Sequence, residues 1–240
     1  MINSPIVDVW TVRWVDFDKS SLQHLLHDHE RARAERFRDA SVRSRFVIAR
    51  GLLRQKLADE LRTEPASVPI VSSPRGKPVL KAPFDGIDLR FSVSHADEVG
   101  LIGIGRGKPI GVDIEGPQGR RSLDRLAHRF FTPYEAAQLR RLAQSQRHEA
   151  FLRIWTAKES LIKARGEAVP SGLRRYAVEL GDDGSVALLS IDGNERAARD
   201  WRLETVALDA DHIATVAIQA PDARIRWHRI PPQSEQSERR

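Results

Sequence analysis

GKPIGVDIEGP (residues 107–117) alternates apolar and polar positions inside a segment flanked on both sides by glycine and proline. That period of two predicts a β-strand, because successive side chains of a strand point to opposite faces. Ile110, Val112 and Ile114 make one face apolar, so Gly111, Asp113 and Glu115 share the other. The two carboxylates then stand about 7 Å apart. At an effective dielectric of about 20 they repel each other by roughly 2 kcal/mol. A divalent cation would reverse that repulsion, and magnesium suits it, since it takes hard oxygen ligands and often sits between carboxylates and substrate phosphates. An edge strand with solvated acids is the plain alternative.

On the N-terminal side, LRFSVSH (89–95) and VGLIGIG (99–105) read as two further strands separated by turn residues, and VDVWTVRWV (7–15) as an earlier one. SSLQHLLHDHERARAERF (20–37) reads as a helix. SVRSRFVIARGLLRQKLADEL (41–61) reads as another, with Val42, Phe46, Ala49, Leu53, Leu57 and Leu61 as its apolar stripe. RTEP ends it, because the residue before proline disfavours helical dihedrals.

On the C-terminal side, helices are expected near 122–130 and 133–145. The second opens on Thr132 as N-cap, with Pro133 at the first helical position and Glu135 three residues after the cap. RHEAFLRIWTAKESLIKARGE (147–167) is a further helix, closed by Gly166. RYAVELGDDGSVALL, DWRLETVAL and HIATVAIQA read as antiparallel strands, with GDDG as a turn, and PPQSEQSERR (231–240) as a disordered tail. The expected fold class is α+β, in two similar-sized halves that meet near residue 108.

The net charge of +6 and pI near 10.0 suggest an anionic partner: nucleic acid, a phosphorylated ligand or an acidic protein. Residues 31–62 hold ten Lys/Arg against four acids, and PRGKP (74–78) offers Arg75 and Lys77 on a turn. Such runs are commonly solvated helix faces, yet a phosphate-rich ligand needs them. The absence of cysteine excludes disulfides, thiolate metal sites and a cysteine nucleophile. MINSPIVDVWTVRWVD lacks the basic stretch and apolar run of a signal peptide, and VGLIGIG falls far short of the roughly 20 residues a membrane helix needs. A cytoplasmic protein without membrane contact is expected.

A third carboxylate joins the opening pair. In FLRIWTAKESLIKA, Phe151, Trp155 and Glu159 recur every four residues, so an aromatic core stripe carries Glu159 inward. Lys163 follows one turn later and sets an ammonium beside it. An ordinary helix salt bridge is the alternative. SVSHAD puts Ser94 and His95 at a strand end, but a Ser–His–Asp hydrolase is disfavoured without a G-x-S-x-G elbow. GIGRGKP fits neither a P-loop nor a dinucleotide fingerprint.

Taken in order, GKP (76–78), FSVSH (91–95), IGVDIE (110–115), RFFTPYE (129–135) and FLRIWTAKESLIKARG (151–166) resemble the 4′-phosphopantetheinyl transferase superfamily, in its Sfp-type, single-chain class. The resemblance implies two pseudo-two-fold-related α/β subdomains: 1–108 contacting the nucleotide and 3′-phosphate of coenzyme A, and 109–230 bearing the metal site and catalytic helix. It implies a holo-[acyl-carrier-protein] synthase type of enzyme. Such an enzyme moves the 4′-phosphopantetheine of coenzyme A onto a serine of an apo acyl or peptidyl carrier protein and releases adenosine 3′,5′-bisphosphate. By position, Asp113, Glu115 and Glu159 would ligate Mg²⁺, with Mn²⁺ as a substitute. Glu159 would be the general base, and Lys163 would act at the reacting phosphate. Ser94 and His95 would meet the coenzyme phosphates, Arg75 and Lys77 the nucleotide end, and Arg38 and Arg45 the 3′-phosphate. An acidic carrier surface, a monomer and no nucleic-acid partner are expected.

Two other classes compete. A magnesium-dependent phosphohydrolase or nuclease would use the same three carboxylates, but it leaves the order of the whole motif set unexplained. A non-catalytic basic nucleic-acid-binding protein would explain the charge, but only Phe37 and Phe46 lie among the basic residues of 31–62.

Overall fold

The structure is a computed structural model that describes residues 4–74, 76–117, 123–167 and 172–237. Its first strands are β1 (Ile6–Arg13), β2 (Ile70–Ser72), β3 (Pro78–Leu80), β4 (Leu89–Ala96), β5 (Val99–Arg106) and β6 (Ile110–Glu115). β7 (Tyr176–Leu180), β8 (Val186–Ile191), β9 (Arg202–Ala207), β10 (Ile213–Ile218) and β11 (Arg224–Arg229) follow. The main helices are α1 (Ser20–Gln23), α2 (Asp28–Glu35), α3 (Ala40–Leu61), α4 (Leu123–Phe130), α5 (Pro133–Arg141) and α6 (Gln144–Arg165). The fold is α+β, with antiparallel sheets and packed helices.

The described chain forms two compact units. The first comprises Met1–Val9, Asp88–Asp97 and Leu101–Trp227, and the second Trp10–Ile87, Glu98–Gly100 and His228–Arg240. In the first unit, β6, β10 and β9 form an antiparallel sheet in the order β6-β10-β9. All six residues of β10 (IATVAI) are buried, as expected of its middle strand. The register sets Asp113 opposite Thr215 and Glu115 opposite Ile213. α6 covers one face of this sheet: Phe151 and Ile154 share a buried cluster with Ile213, and Leu161 and Ala164 share another with Ala217. On the other face of β6, Val112 fills the place where a side chain at Gly103 of β5 would stand.

Local signals explain the helix ends. Thr132 Oγ1 accepts the Glu135 N–H at 3.3 Å while Glu135 Oε2 accepts the Thr132 N–H at 2.7 Å, the reciprocal capping box the sequence predicts. α6 stops at Gly166, whose φ of +64° lies in the left-handed region, and its N–H bonds back to Ile162 and Lys163.

The second unit departs from expectation in three places. The helix expected over 20–37 is two, α1 and α2, because His27 turns extended and its N–H is capped by Glu30 Oε2 at 3.2 Å. The apolar stripe of α3 is shifted: Val42 is 42% exposed, and the buried face is Val47, Ile48, Gly51, Leu52, Leu53, Arg54, Leu57 and Ala58. Arg54 belongs to that face because Glu30 accepts its Nε at 3.1 Å and Nη2 at 2.6 Å, and Val68 O accepts Nη1. Much of the basic excess is likewise engaged internally. Arg31 pairs with Asp28, Lys56 pairs with Asp59, and the guanidiniums of Arg33 and Arg50 lie over the Phe46 ring. Within 231–240, expected as a tail, Gln233–Ser237 is a short helix, and Gln233 Oε1 accepts from Asp18 N and Ser21 Oγ at 3.1 Å each.

Candidate active site

The site begins with a glycine. A Cβ on Gly111 would lie 2.0 Å from the Ser160 carbonyl oxygen and 2.5 Å from the Ala164 nitrogen, so the α6 backbone rests directly on β6. Only glycine permits that approach. Asp113 and Glu115 occupy the next two positions on the same face, and α6 supplies Glu159 and Lys163 beside them. One ligand oxygen from each of Asp113, Glu115 and Glu159 lies within 4.8 Å of the others. The three carboxylates predicted from sequence therefore converge.

Asp113 is 1% exposed. Its Oδ1 accepts from Lys163 Nζ at 2.5 Å and from Ser94 Oγ at 2.9 Å, and Lys163 also donates to Ser94 Oγ at 2.8 Å. Its Oδ2 is buried without a hydrogen-bond partner among the described residues. A buried, unsatisfied carboxylate oxygen costs desolvation energy unless something fills its lone pairs. With two further carboxylates in reach and all-oxygen donors, the set fits a hard divalent cation such as Mg²⁺ or Mn²⁺.

Glu115 Oε1 accepts the Trp155 indole N–H at 3.2 Å. Burial first, then the negative charges of Asp113 and Glu115, push the Glu159 carboxyl up to about 8, while the Lys163 ammonium works the other way. Without a cation this crowded group holds a proton.

Sequence reading missed a second anchor. Lys158, next to Glu159, is fully buried and donates to Glu135 Oε2 at 2.5 Å. Glu135 Oε1 accepts the Val178 N–H at 2.9 Å, and Lys158 Nζ lies 5.2 Å from the Phe131 ring centre. The capping glutamate of α5 thereby ties α5, α6 and β7 together. Beneath α6, Thr215 Oγ1 joins Thr156 Oγ1 at 2.8 Å and Thr205 Oγ1 at 2.9 Å.

The remaining predicted residues divide. Ser94 is in the cluster, whereas His95, its neighbour on β4, points to the opposite face and is exposed. Arg38, Arg45 and Lys77 belong to the second unit. Arg38 is exposed, and Arg45 pairs with Glu98 at 2.5 Å. Lys77 is half-buried at the end of a turn in which its carbonyl accepts the Ser73 N–H at 2.8 Å. Arg75 lies outside the described residues.

Two family models match the chain: "4′-phosphopantetheinyl transferase superfamily" over residues 109–217, and "4′-phosphopantetheinyl transferase, N-terminal" over 10–103. The 4′-phosphopantetheinyl transferase HetI of Nostoc sp. is 34% identical over 215 residues, covering 88% of this chain and 87% of its own. The chain belongs to the 4′-phosphopantetheinyl transferase superfamily. A phosphopantetheinyl transferase of Thraustochytrium sp. is 32% identical over 93% of this chain and 84% of its own. A 4′-phosphopantetheinyl transferase of Bacillus subtilis is 30% identical over 80% and 82%. Within this transferase the three carboxylates and Lys163 all fall inside the superfamily match, and Ser94 falls inside the N-terminal one. None of the described helices is long and apolar enough to cross a membrane.

Proposed function

We propose that this transferase moves the 4′-phosphopantetheine group of coenzyme A onto a serine of an apo acyl or peptidyl carrier protein, releasing adenosine 3′,5′-bisphosphate. The observation that carries this reading is the convergence of Asp113, Glu115 and Glu159 beside Lys163. Asp113, Glu115 and Glu159 would hold Mg²⁺, which would supply positive charge to stabilise the leaving bisphosphate. Lys163 adds a fixed ammonium, kept in place by Asp113 and Ser94, that faces the same phosphates.

Glu159 takes the proton of the carrier serine as its oxygen attacks phosphorus. Phosphoryl transfer then asks the protein mainly for positioning and electrostatics. Ser94 and His95 meet the coenzyme phosphates. Arg75 and Lys77 meet its nucleotide end, Arg38 and Arg45 its 3′-phosphate, and the basic balance suits an acidic carrier. The enzyme acts as a cytoplasmic monomer. Incubation with coenzyme A, Mg²⁺ and a panel of apo carriers should add one phosphopantetheine to the carrier serine, read by intact mass. No mass gain on any carrier would contradict the assignment.

A further inference from the structure

One of the three carboxylates accepts from a donor that is neither acidic nor basic. The Trp155 N–H donates to Glu115 Oε1 at 3.2 Å, and Trp155 stands one helical turn before Glu159 on α6. Aromatic neighbours fix its orientation. Its ring stacks on Phe151 at 5.6 Å and 21°, and meets Phe130 edge-on at 5.6 Å and 82°. Phe151 in turn stacks on Phe131 at 5.0 Å, and both are buried. The indole cannot swing away from the carboxylates without breaking that packing.

The neutrality of this donor matters. Three ionised carboxylates and the Lys163 ammonium leave two negative charges, the complement of one divalent cation. An ammonium in place of the indole would also satisfy Glu115, but it would cancel half of that charge. A phenyl ring would keep most of the packing and remove this donor from Glu115 Oε1. We propose that Trp155 is a positioning residue that presets Glu115 for a divalent cation shared with Asp113 and Glu159 and so sets the affinity of the site. This rests on the reading of the cluster as a metal site.

The test is calorimetric titration of the cation-free full-length protein with Mn²⁺. Trp155→Phe should weaken Mn²⁺ binding about 10–100-fold, as loss of a supporting hydrogen bond to a metal ligand does, with little change in melting temperature. Site-specific 3-benzothienylalanine at position 155, which keeps the fused ring and replaces N–H by sulfur, should show the same loss and serves if the phenylalanine variant fails to fold. In a Glu115→Ala background the substitution should cost less than it does alone. Equal Mn²⁺ affinity in the wild-type and benzothienylalanine proteins overturns the positioning role. Failure of the wild-type protein to bind Mn²⁺ overturns the metal-site reading itself.

Discussion

Lys158→Met removes the ammonium from a pair that is 0% exposed on both sides and leaves the Glu135 carboxylate buried beside the Thr132 and Val178 N–H groups alone. Breaking a buried pair by deleting one partner costs about 3–5 kcal/mol, because the other charge stays desolvated. A chain of this size loses roughly 2–4 °C of melting temperature per kcal/mol, so the variant should melt roughly 6–20 °C lower. Urea unfolding followed by far-UV circular dichroism, with calorimetry alongside, measures both quantities. Adding Glu135→Gln should recover part of the loss, since no charge remains buried and the amide oxygen still accepts the Val178 N–H, although the Thr132 N–H loses its acceptor. A cost below about 1 kcal/mol for Lys158→Met, with no recovery in the double variant, would refute the argument. It would mean that α6 is held against α5 by apolar packing alone.

Three further outcomes follow from the same geometry. Gly111→Ala puts a methyl group 2.0 Å from the Ser160 carbonyl, so α6 must move off β6. A displacement of about 1 Å at a reacting centre can cost on the order of 100-fold in turnover, measurable as kcat on any carrier that accepts the group. Lys163→Ala should slow transfer at saturating coenzyme A, and an effect confined to carrier affinity would contradict its placement beside Asp113. The Glu159 carboxyl, raised from its ordinary 4.5 to about 8, binds a proton in the folded cation-free protein that the unfolded chain has released. The sign follows: cation-free stability falls as pH rises through that window. Cation binding near pH 7 should expel close to one proton, seen as a buffer-dependent calorimetric enthalpy that fades above pH 9. A buffer-independent enthalpy at pH 7 would contradict this.

Alternation and helical period made most of the site legible. GKPIGVDIEGP gave β6 its two faces, and the four-residue spacing of Phe151, Trp155 and Glu159 set the third carboxylate against them. The same spacing could have flagged Trp155 as more than packing, since its N–H sits one turn from Glu159. Hydrophobicity misled wherever a charge is buried with a partner distant in sequence. Arg54 is a core residue of α3 only because Glu30 of α2 neutralises it, and Lys158 only because Glu135 of α5 does. The spacing of α3 or of α6 alone cannot announce these partners. β11 went unread although RIRWHR alternates Arg224, Arg226 and His228 with Ile225 and Trp227; its polar groups meet partners distant in sequence, Arg226 pairing with Asp8 at 2.6 Å and Trp227 Nε1 donating to Glu204 at 2.8 Å. Ser94 and His95 are neighbours on β4, so the strand pleat sets them on opposite faces.

The central claim is that the carboxylate cluster works as a cation-loaded transfer site. The direct measurement is the initial rate of carrier modification by chelator-treated enzyme as Mg²⁺ is titrated back, for the wild-type protein and for a folded Glu159→Ala variant. The account predicts a silent wild-type enzyme in chelator, recovery with added Mg²⁺, and a variant that stays silent at every concentration. Full transfer in chelator, or wild-type turnover by Glu159→Ala, would contradict it.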